Sequence, residues 1–152
     1  MGFGIKLDGI CGSAMMLACV VTAACPSQAA GTFKGPVEAT VVEIIDGDTF
    51  LADAEVWPGH SVRVNIRIRG IDAPEMKARC AIEKAAALRA RQALALIVGD
   101  GRVSISNIGG AKYYGRVLAD VATPDGQAVA SLLLGEELVR VYAGGRREGW
   151  CG

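Results

Sequence analysis

The most regular stretch of the sequence runs Val62-Arg63-Val64-Asn65-Ile66-Arg67-Ile68-Arg69. Its aliphatic residues occupy every second position, and its arginines and Asn65 occupy the positions between them. Strict alternation of apolar and polar residues predicts a β-strand that turns one face to a hydrophobic core. The strand ends at Gly70, and the Ala73-Pro74 pair interrupts the chain shortly afterwards. We therefore expect a fold built around strands.

The segments before and after this strand alternate between short strands, glycine turns and helices. β-branched residues predict four more strands, at residues 37–45, 49–54, 103–106 and 117–121. The turn Asp46-Gly47-Asp48 predicts a tight hairpin between the first two of them. Residues 78–98 contain no Gly or Pro and predict a long helix, and residues 127–135 predict a shorter one.

These elements predict a mainly β fold with helices, of the α+β class. Five short strands, a long helix after the third and a smaller helix after the fifth match a small antiparallel barrel with two to three packed helices. Residues 138–142 are expected to form a last strand or a turn. The positions of the long helix that recur at helical spacing, and are expected to face the core, are Ala86, Ala90, Ala93, Leu94 and Ile97.

Charge and composition limit the classes of protein to which the chain can belong. The 152 residues carry 16 Lys and Arg against 16 Asp and Glu, and 51% of them are hydrophobic. A disordered chain needs low hydrophobicity and high net charge, and a domain that binds nucleic acid by bulk charge is usually strongly basic. Aromatic residues, at 5%, also argue against a broad surface for stacking bases. The length fits one domain, and we expect a monomer.

The first 29 residues are predicted to be a signal peptide that is cleaved. Lys6 provides a positive charge, residues 10–25 form an uncharged apolar run, and Ser27 and Ala29 are the small residues of a cleavage site. The run of 16 residues is shorter than the about 20 that a membrane-spanning helix needs. We therefore expect an exported protein, periplasmic or secreted, with no stable membrane association after cleavage.

Two other interpretations of the leader remain open, an uncleaved membrane anchor and a lipid-modified Cys25. Thr22 is a poor residue three positions before a lipidated cysteine. After the leader, residues 30–36 are predicted to be a linker, residues 37–143 the folded domain, and residues 144–152 a C-terminal tail.

The cysteines agree with export. Three of the five lie in the leader, which leaves Cys80 and Cys151 in the mature chain. An even number suits an oxidising compartment, and we expect a disulfide that ties the tail to the domain, with two free thiols as the alternative. In the chain-entropy model a closed loop of this length contributes about 4 kcal/mol. Without further cysteines, and with His60 as the single histidine, a zinc site is not expected.

Two acidic pairs lie where strands are predicted to end. Asp46 and Asp48 flank the glycine of the hairpin turn, and Asp72 and Glu75 flank Ala73-Pro74. Carboxylates grouped in this way can bind a hard cation through oxygen ligands. The alternatives are ordinary turn chemistry at the first pair and a favourable charge at a helix N-terminus at the second.

Two arginines strengthen the interpretation that these carboxylates bind a cation. Arg67 lies on the polar face of the alternating strand, and Arg116 begins a later strand. A guanidinium group beside a carboxylate-bound cation suits a phosphate substrate, because its planar donors match phosphate oxygens in pairs. Arg63 and Arg69 are instead expected to be surface residues or members of structural salt bridges.

Three motifs together resemble the staphylococcal-nuclease-like, or thermonuclease, family. They are Ile45-Asp46-Gly47-Asp48-Thr49, Arg67 with Ile71-Asp72-Ala73-Pro74-Glu75, and Tyr114-Gly115-Arg116. They occur in the family's order, and the resemblance covers about residues 37–142. It implies a five-stranded OB-fold barrel with packed helices, in agreement with the elements predicted above. It also implies Ca²⁺-dependent hydrolysis of phosphodiesters in DNA or RNA, with 3′-phosphate ends.

The resemblance further implies how the cation is bound. Asp48 and Asp72 are expected to bind Ca²⁺ through carboxylate oxygens, with the backbone carbonyl of Ala73 as another ligand. The family commonly has Thr at the position of Ala73, and an alanine is tolerable there because the backbone does the binding. Asp46 is expected to support these ligands without binding the ion itself.

The reaction itself is assigned by the same resemblance to three side chains. Glu75 is expected to act as the general base or to orient the attacking water. Arg67 and Arg116 are expected to hold the scissile phosphate, and Arg116 also to help the leaving oxygen. Tyr114 matches the family's nucleotide-contacting tyrosine, with a purely structural tyrosine as the alternative.

Two other functions are alternatives to a nuclease. One is a non-catalytic OB-fold module that binds nucleic acid or a protein, and the other is a structural domain whose charges form only salt bridges. A degenerate member of the family is expected to lose its acidic and arginine positions first. The residues that are all present, and therefore favour the enzyme, are Asp48, Asp72, Glu75, Arg67 and Arg116.

Overall fold

A computed structural model describes residues 1–2, 31–99, 101–111 and 115–151 of the chain. The predicted signal peptide lies almost wholly outside these residues, as does Tyr114. Within the described residues, none of the helices is both long enough and apolar enough to span a membrane.

All five predicted strands and both predicted helices are present, together with two very short strands. The strands are β1 (Val37–Asp46), β2 (Thr49–Trp57), β3 (His60–Ile68), β4 (Ile71–Asp72), β5 (Arg102–Gly110), β6 (Arg116–Ala122) and β7 (Arg140–Val141). The helices are α1 (Ala81–Val98) and α2 (Val129–Gly135). The predicted last strand at residues 138–142 is thus the two-residue β7.

Five of the strands close into a barrel in the order β1-β2-β3-β6-β5. The pairs are antiparallel except for β3 and β6, which run parallel, with Arg67 opposite Leu118. The expectation of an antiparallel barrel was therefore wrong at this one pair. Because α1 and β5 lie between β3 and β6 along the chain, the connection is long enough for the chain to return in the same direction. The fold class is confirmed: a closed five-stranded barrel with two helices, as in an OB-fold.

The alternating strand faces the core only over its second half. Ile66 and Ile68 are fully buried, whereas Val62 remains 49% exposed. The reason is that the outer end of the β2–β3 hairpin is exposed to solvent, as the 72% exposure of Trp57 indicates. Other large side chains of the core that are fully or almost fully buried are Phe50, Leu94, Val103, Ile105 and Leu133.

Helix α1 packs a face of small residues against the barrel. Its fully buried residues are Ala87, Ala90, Leu94 and Val98. Two of these were predicted, while Ala86, Ala93 and Ile97 are only half-buried, so the buried face is rotated slightly from the predicted one. The helix begins at Ala81, three residues later than predicted, with Cys80 as its N-cap.

Both ends of the described domain are attached to neighbouring elements, and β4 and β7 form a two-stranded sheet separate from the barrel. Strand β7 pairs with β4, and Tyr142 N–H donates to the carbonyl of Gly70 at 2.8 Å. The predicted disulfide between Cys80 and Cys151 is present, with the Cα atoms 6.0 Å apart. At the other end, Phe33 forms a β-bridge with Ile108, so part of the segment expected to be a linker pairs with β5.

Candidate active site

The turn between β1 and β2 is pressed against helix α1. A Cβ atom built on Gly47 would lie 2.5 Å from the Cβ of Ala90 and 3.0 Å from the Cβ of Ala73. On the other side of this glycine, the carbonyl of Asp48 accepts a hydrogen bond of 2.9 Å from Ile68 N–H. Because Gly47 has no side chain, the turn can approach the helix closely, and Asp48 is fixed at the end of β3.

Substituting Gly47 with alanine is expected to lower the free energy of unfolding by about 1–3 kcal/mol, the usual cost of forcing a methyl group into a packed interior. Chemical denaturation followed by circular dichroism measures this change. Gly135→Ala is the matched control, because a Cβ there meets no atom within 4 Å. Equal unfolding midpoints for the two variants would contradict the close packing of the turn.

Arg67 joins the two acidic segments. Its Nη1 donates to Asp48 Oδ1 at 2.8 Å, and its Nη2 lies 3.3 Å from Asp72 Oδ1. Nη2 also donates to the carbonyl of Ile71 at 3.3 Å. The three charged side chains are almost completely buried, with 11% of Arg67, 3% of Asp48 and 8% of Asp72 exposed. Two carboxylates from separate segments therefore converge on one cationic group.

Asp48 is held as a buried and oriented carboxylate. Its Oδ2 accepts from Ala73 N–H at 2.9 Å, and its Oδ1 accepts from the Thr49 hydroxyl at 2.8 Å. Burial raises the pKa of Asp48, although the positive charge of Arg67 and these hydrogen bonds oppose the rise. An ionised carboxylate in such surroundings needs a cation nearby. The oxygen atoms of Asp48 and Asp72 that meet at Arg67 are of the kind that Ca²⁺ prefers, so this pair fits the ion.

A second group of ligand atoms proves unsuitable for a metal. Within the described residues, the one cluster of three Cys, His, Asp or Glu residues with ligand atoms within 4.8 Å is Cys80, Glu83 and Cys151. Its sulfurs are joined in the disulfide and offer no thiolate. A cation bound by Asp48 and Asp72 would take backbone carbonyls and water as its remaining ligands, and Ca²⁺ accepts such ligands readily.

The parallel pairing of β3 and β6 brings the second predicted arginine to the same place. Asn65 lies opposite Arg116 and Arg67 lies opposite Leu118, so the two arginines are on neighbouring strands. Both line a cavity of about 610 Å³ beside the acidic pair. The charged residues around this cavity are Asp46, Glu75, Arg67, Arg116 and Arg147.

Glu75 stands at the open side of this cavity, with 53% of its side chain exposed. Its backbone N–H donates to the side chain of Glu83, and its carbonyl accepts from Ala78 N–H. These two hydrogen bonds hold the short loop before α1. Its carboxylate has an unpredicted partner: Oε1 lies 2.5 Å from Nη1 of Arg147.

Arg147 is the charged residue of the site that sequence reasoning missed. Its Nε also lies 3.1 Å from Asp72 Oδ1. Burial by itself lowers the pKa of Arg147, but the negative charges of Asp72, Glu75 and Asp48 outweigh it and the pKa is raised. One signal was available in the sequence: Cys80 follows Glu75 by five residues and Cys151 follows Arg147 by four, so the predicted disulfide already brought the two side chains near each other.

Of the remaining predicted residues, the structure places four and leaves Tyr114, the expected nucleotide contact, outside the described residues. Asp46 lines the cavity, as does Tyr142, which the sequence did not indicate. Ala73 is buried and contributes its N–H to Asp48. Arg63 and Arg69 pair with Asp53 and Asp120, as expected for structural salt bridges.

A protein-family model described as "Staphylococcal nuclease homologue" matches residues 65–148, more than half of the chain. The chain belongs to this family. The matched range contains Arg67, Asp72, Glu75 and Arg116, in the order that the sequence motifs indicated. A search of curated proteins found no match.

Membership of the staphylococcal nuclease homologues relates the chain to nucleases that act on nucleic acids. Asp48 precedes the matched range, so its connection to the site rests on its contacts with Arg67 and Ala73. Arg147 lies at the end of the matched range, and Cys151 lies beyond it.

Proposed function

We propose that the protein is an exported Ca²⁺-dependent nuclease that hydrolyses phosphodiester bonds of DNA or RNA and leaves 3′-phosphate ends. The observation that carries this proposal is the convergence of Asp48 and Asp72 on the guanidinium of Arg67, at the wall of an open cavity. Glu75 and Arg116 line the same cavity. Carboxylates for a cation, guanidinium groups for a phosphate and a carboxylate for a water molecule are thus found together.

Asp48 and Asp72 would hold the cation, with the carbonyl of Ala73 and water as further ligands. When bound, Ca²⁺ supplies Lewis-acid stabilisation of negative charge on the phosphate. The remaining roles belong to side chains of the protein. Because Asp48 is buried and hydrogen-bonded on both oxygens, its orientation is set before the ion arrives.

Arg67 and Arg116 bind the phosphate. A phosphodiester is an anion that gains charge in the transition state, so fixed guanidinium donors stabilise the transition state more than the ground state. Arg67 lies against Asp48 and Asp72 and lines the cavity in which the phosphate would bind. Glu75, which is half-exposed beside the cavity, accepts a proton from the attacking water or orients it.

Removing Ca²⁺ tests the proposal directly. The purified mature protein is expected to degrade plasmid and denatured DNA with Ca²⁺ and to stop when a chelator is added. Cleavage that is unaffected by the chelator would refute a Ca²⁺-dependent nuclease. Tight DNA binding without cleavage in Ca²⁺ would instead favour the non-catalytic binding module.

Ca²⁺ binding is also expected to be visible in the thermal stability. At a concentration one hundred times its dissociation constant, a ligand of the folded state stabilises by about 2.7 kcal/mol. We expect the melting temperature to rise with Ca²⁺ in the parent protein and not in Asp72→Asn. Asp53→Asn, which removes a carboxylate paired with Arg63 outside the cavity, should respond to Ca²⁺ as the parent does. A rise in Asp72→Asn equal to that of the parent would place the ion elsewhere.

Export is the cellular part of the proposal. The Cys80–Cys151 disulfide supports it, because such bonds persist in oxidising compartments. N-terminal sequencing of the protein recovered outside the cytoplasm is expected to begin near residue 30. A full-length N-terminus on that material would argue against a cleaved signal peptide.

A further inference from the structure

We propose that Arg147 is a third phosphate-binding residue of the site, and that the Cys80–Cys151 disulfide positions it there. The inference rests on the proposed function and extends it. It assigns a substrate-binding role to the C-terminal segment, residues 142–151, for which the sequence motifs indicated none.

Arg147 contacts the two acidic residues that lie on either side of Ala73-Pro74, through Nε to Asp72 and Nη1 to Glu75. It also lines the cavity that contains Arg67 and Arg116. Its side chain is 38% exposed, whereas that of Arg67 is 11% exposed. Arg147 therefore presents its charge to the cavity and to an entering anion.

Among the described residues, the carboxylates of Asp46, Glu75, Asp48 and Asp72 line the cavity or lie beside it, and Arg67 and Arg116 supply two positive charges against these four negative ones. With Ca²⁺ bound, the positive charges of the ion and the two arginines equal the negative charges of the four carboxylates. These groups together then exert no net attraction on a phosphodiester. Arg147 adds a further positive charge, which makes the Ca²⁺-loaded site more attractive to an anion.

Contacts on both sides of Arg147 hold the C-terminal segment in place. On one side of Arg147, the Tyr142 hydroxyl donates to the carbonyl of Gly145 at 2.8 Å. On the other side, Arg140 stacks over the ring of Trp150, 3.7 Å from its centroid, and donates to the carbonyl of Gly149 at 3.1 Å. The disulfide then fixes the end of the segment to the start of α1, close in sequence to Glu75.

These anchors matter because Arg147 lies in irregular chain between β7 and the disulfide. A long side chain on an unrestrained tail loses much conformational entropy when it binds a ligand. Anchors before and after Arg147 reduce that loss before the substrate arrives. The bridge is in this view a positioning device for Arg147 as well as a stabilising bond.

Binding of a short, fluorescein-labelled, single-stranded phosphorothioate DNA tests the role of Arg147 without cleavage. The proteins compared are the parent, Arg147→Ala, Arg147→Lys and the matched control Arg146→Ala, which removes a charge one residue away. Calorimetric titration sets a Ca²⁺ concentration that saturates all four. Arg146 does not line the cavity, and its substitution should change affinity by less than that of Arg147.

We expect Arg147→Ala to weaken binding by about ten- to hundredfold, the range for a lost hydrogen bond to a charged group. The slope of log affinity against log salt should also fall by about 0.7, as for one phosphate contact to a single strand. Arg147→Lys should restore part of the affinity, because it keeps the charge but not the planar pair of donors. Equal affinities for Arg147→Ala and Arg146→Ala would overturn the proposal. Tighter DNA binding by Arg147→Ala would overturn it too, and would identify Arg147 as a plug over the acidic pair.

A double-mutant cycle tests the role of the disulfide. The paired substitution Cys80→Ser and Cys151→Ser should weaken DNA binding in the parent and have little further effect in Arg147→Ala, because both changes remove the same contact. An equal loss in both backgrounds would overturn the positioning role. If the serine variant does not fold at the assay temperature, reduction of the parent and of Arg147→Ala in the cold provides the same comparison, with circular dichroism as the check on folding.

A failure of the proposal for Arg147 can be distinguished from a failure of the proposed nuclease function. If the parent protein fails to cleave DNA in Ca²⁺, the nuclease proposal fails, while the binding comparison between Arg147→Ala and Arg146→Ala still decides the role of Arg147. If the parent cleaves and the two variants behave alike, only the role of Arg147 is refuted.

Discussion

Replacing Arg67 with alanine is expected to lower the free energy of unfolding by about 3 kcal/mol and to reduce cleavage by at least about 10²-fold. The substitution leaves the buried carboxylate of Asp48 without its cationic partner. Breaking a buried ion pair typically costs about 3–5 kcal/mol. We expect the lower end, because Asp72 keeps its contact with Arg147 and the pKa of Asp48 is already raised by burial, so that a proton is taken up more easily.

Thermal unfolding in chelator measures the first effect, since bound Ca²⁺ would compensate for the missing charge. A drop of roughly 10–20 °C in melting temperature corresponds to this energy for a domain of this size. Arg63→Ala is the matched control: it lies on the same strand and pairs with Asp53, but 61% of its side chain is exposed, so its removal should change stability little. Equal melting temperatures for Arg67→Ala and Arg63→Ala would show that the cluster of Arg67, Asp48 and Asp72 stabilises the fold no more than an exposed ion pair does.

Glu75→Gln is expected to reduce kcat by about 10²–10⁴-fold with little change in folding stability. The amide keeps the size of the side chain and most of its hydrogen-bonding capacity, but it accepts no proton from water. Stability should be preserved because the side chain is 53% exposed, and because Arg147 retains its contact with Asp72. Steady-state cleavage of single-stranded DNA and thermal unfolding measure the two quantities.

The control for this substitution is Glu55→Gln, which changes an exposed carboxylate on β2 outside the cavity. It should cleave at the parental rate. A loss smaller than about tenfold in Glu75→Gln would remove Glu75 from the role of base, since that is well below the range for proton transfer by a positioned side chain. A large loss with a parallel loss of stability would indicate a structural role instead.

The charges of the candidate site explain how a chain of zero net charge can bind an anionic substrate. It argues against an extended basic surface, but nucleic acid can still be bound where charges are concentrated. The negative charges of Asp48 and Asp72 are offset by arginines that line a single cavity. A protein that holds one phosphate through a cation and a few arginines needs little overall positive charge.

Most of the fold followed from local patterns. The alternation at residues 62–69, the Asp-Gly turn and the uninterrupted helical composition of residues 78–98 each depend on a few neighbouring residues. The details that differed have non-local causes. Val62 follows the alternation but is 49% exposed at the outer end of its hairpin, and α1 turns Ala87 rather than Ala86 inward to fit the barrel surface.

The sequence by itself determined the strands, the helices and the residue types of the candidate site, because spacing, turn chemistry and family motifs are properties of short segments. Only the tertiary structure decided that β3 and β6 run parallel, which brings Arg67 and Arg116 together, and that Arg147 reaches Glu75 across 72 residues of chain. Such contacts depend on how distant segments pack and on where the disulfide draws the tail. No periodicity within a segment encodes them, and so the contacts of Arg147 with Asp72 and Glu75 emerged from the folded chain and not from a motif.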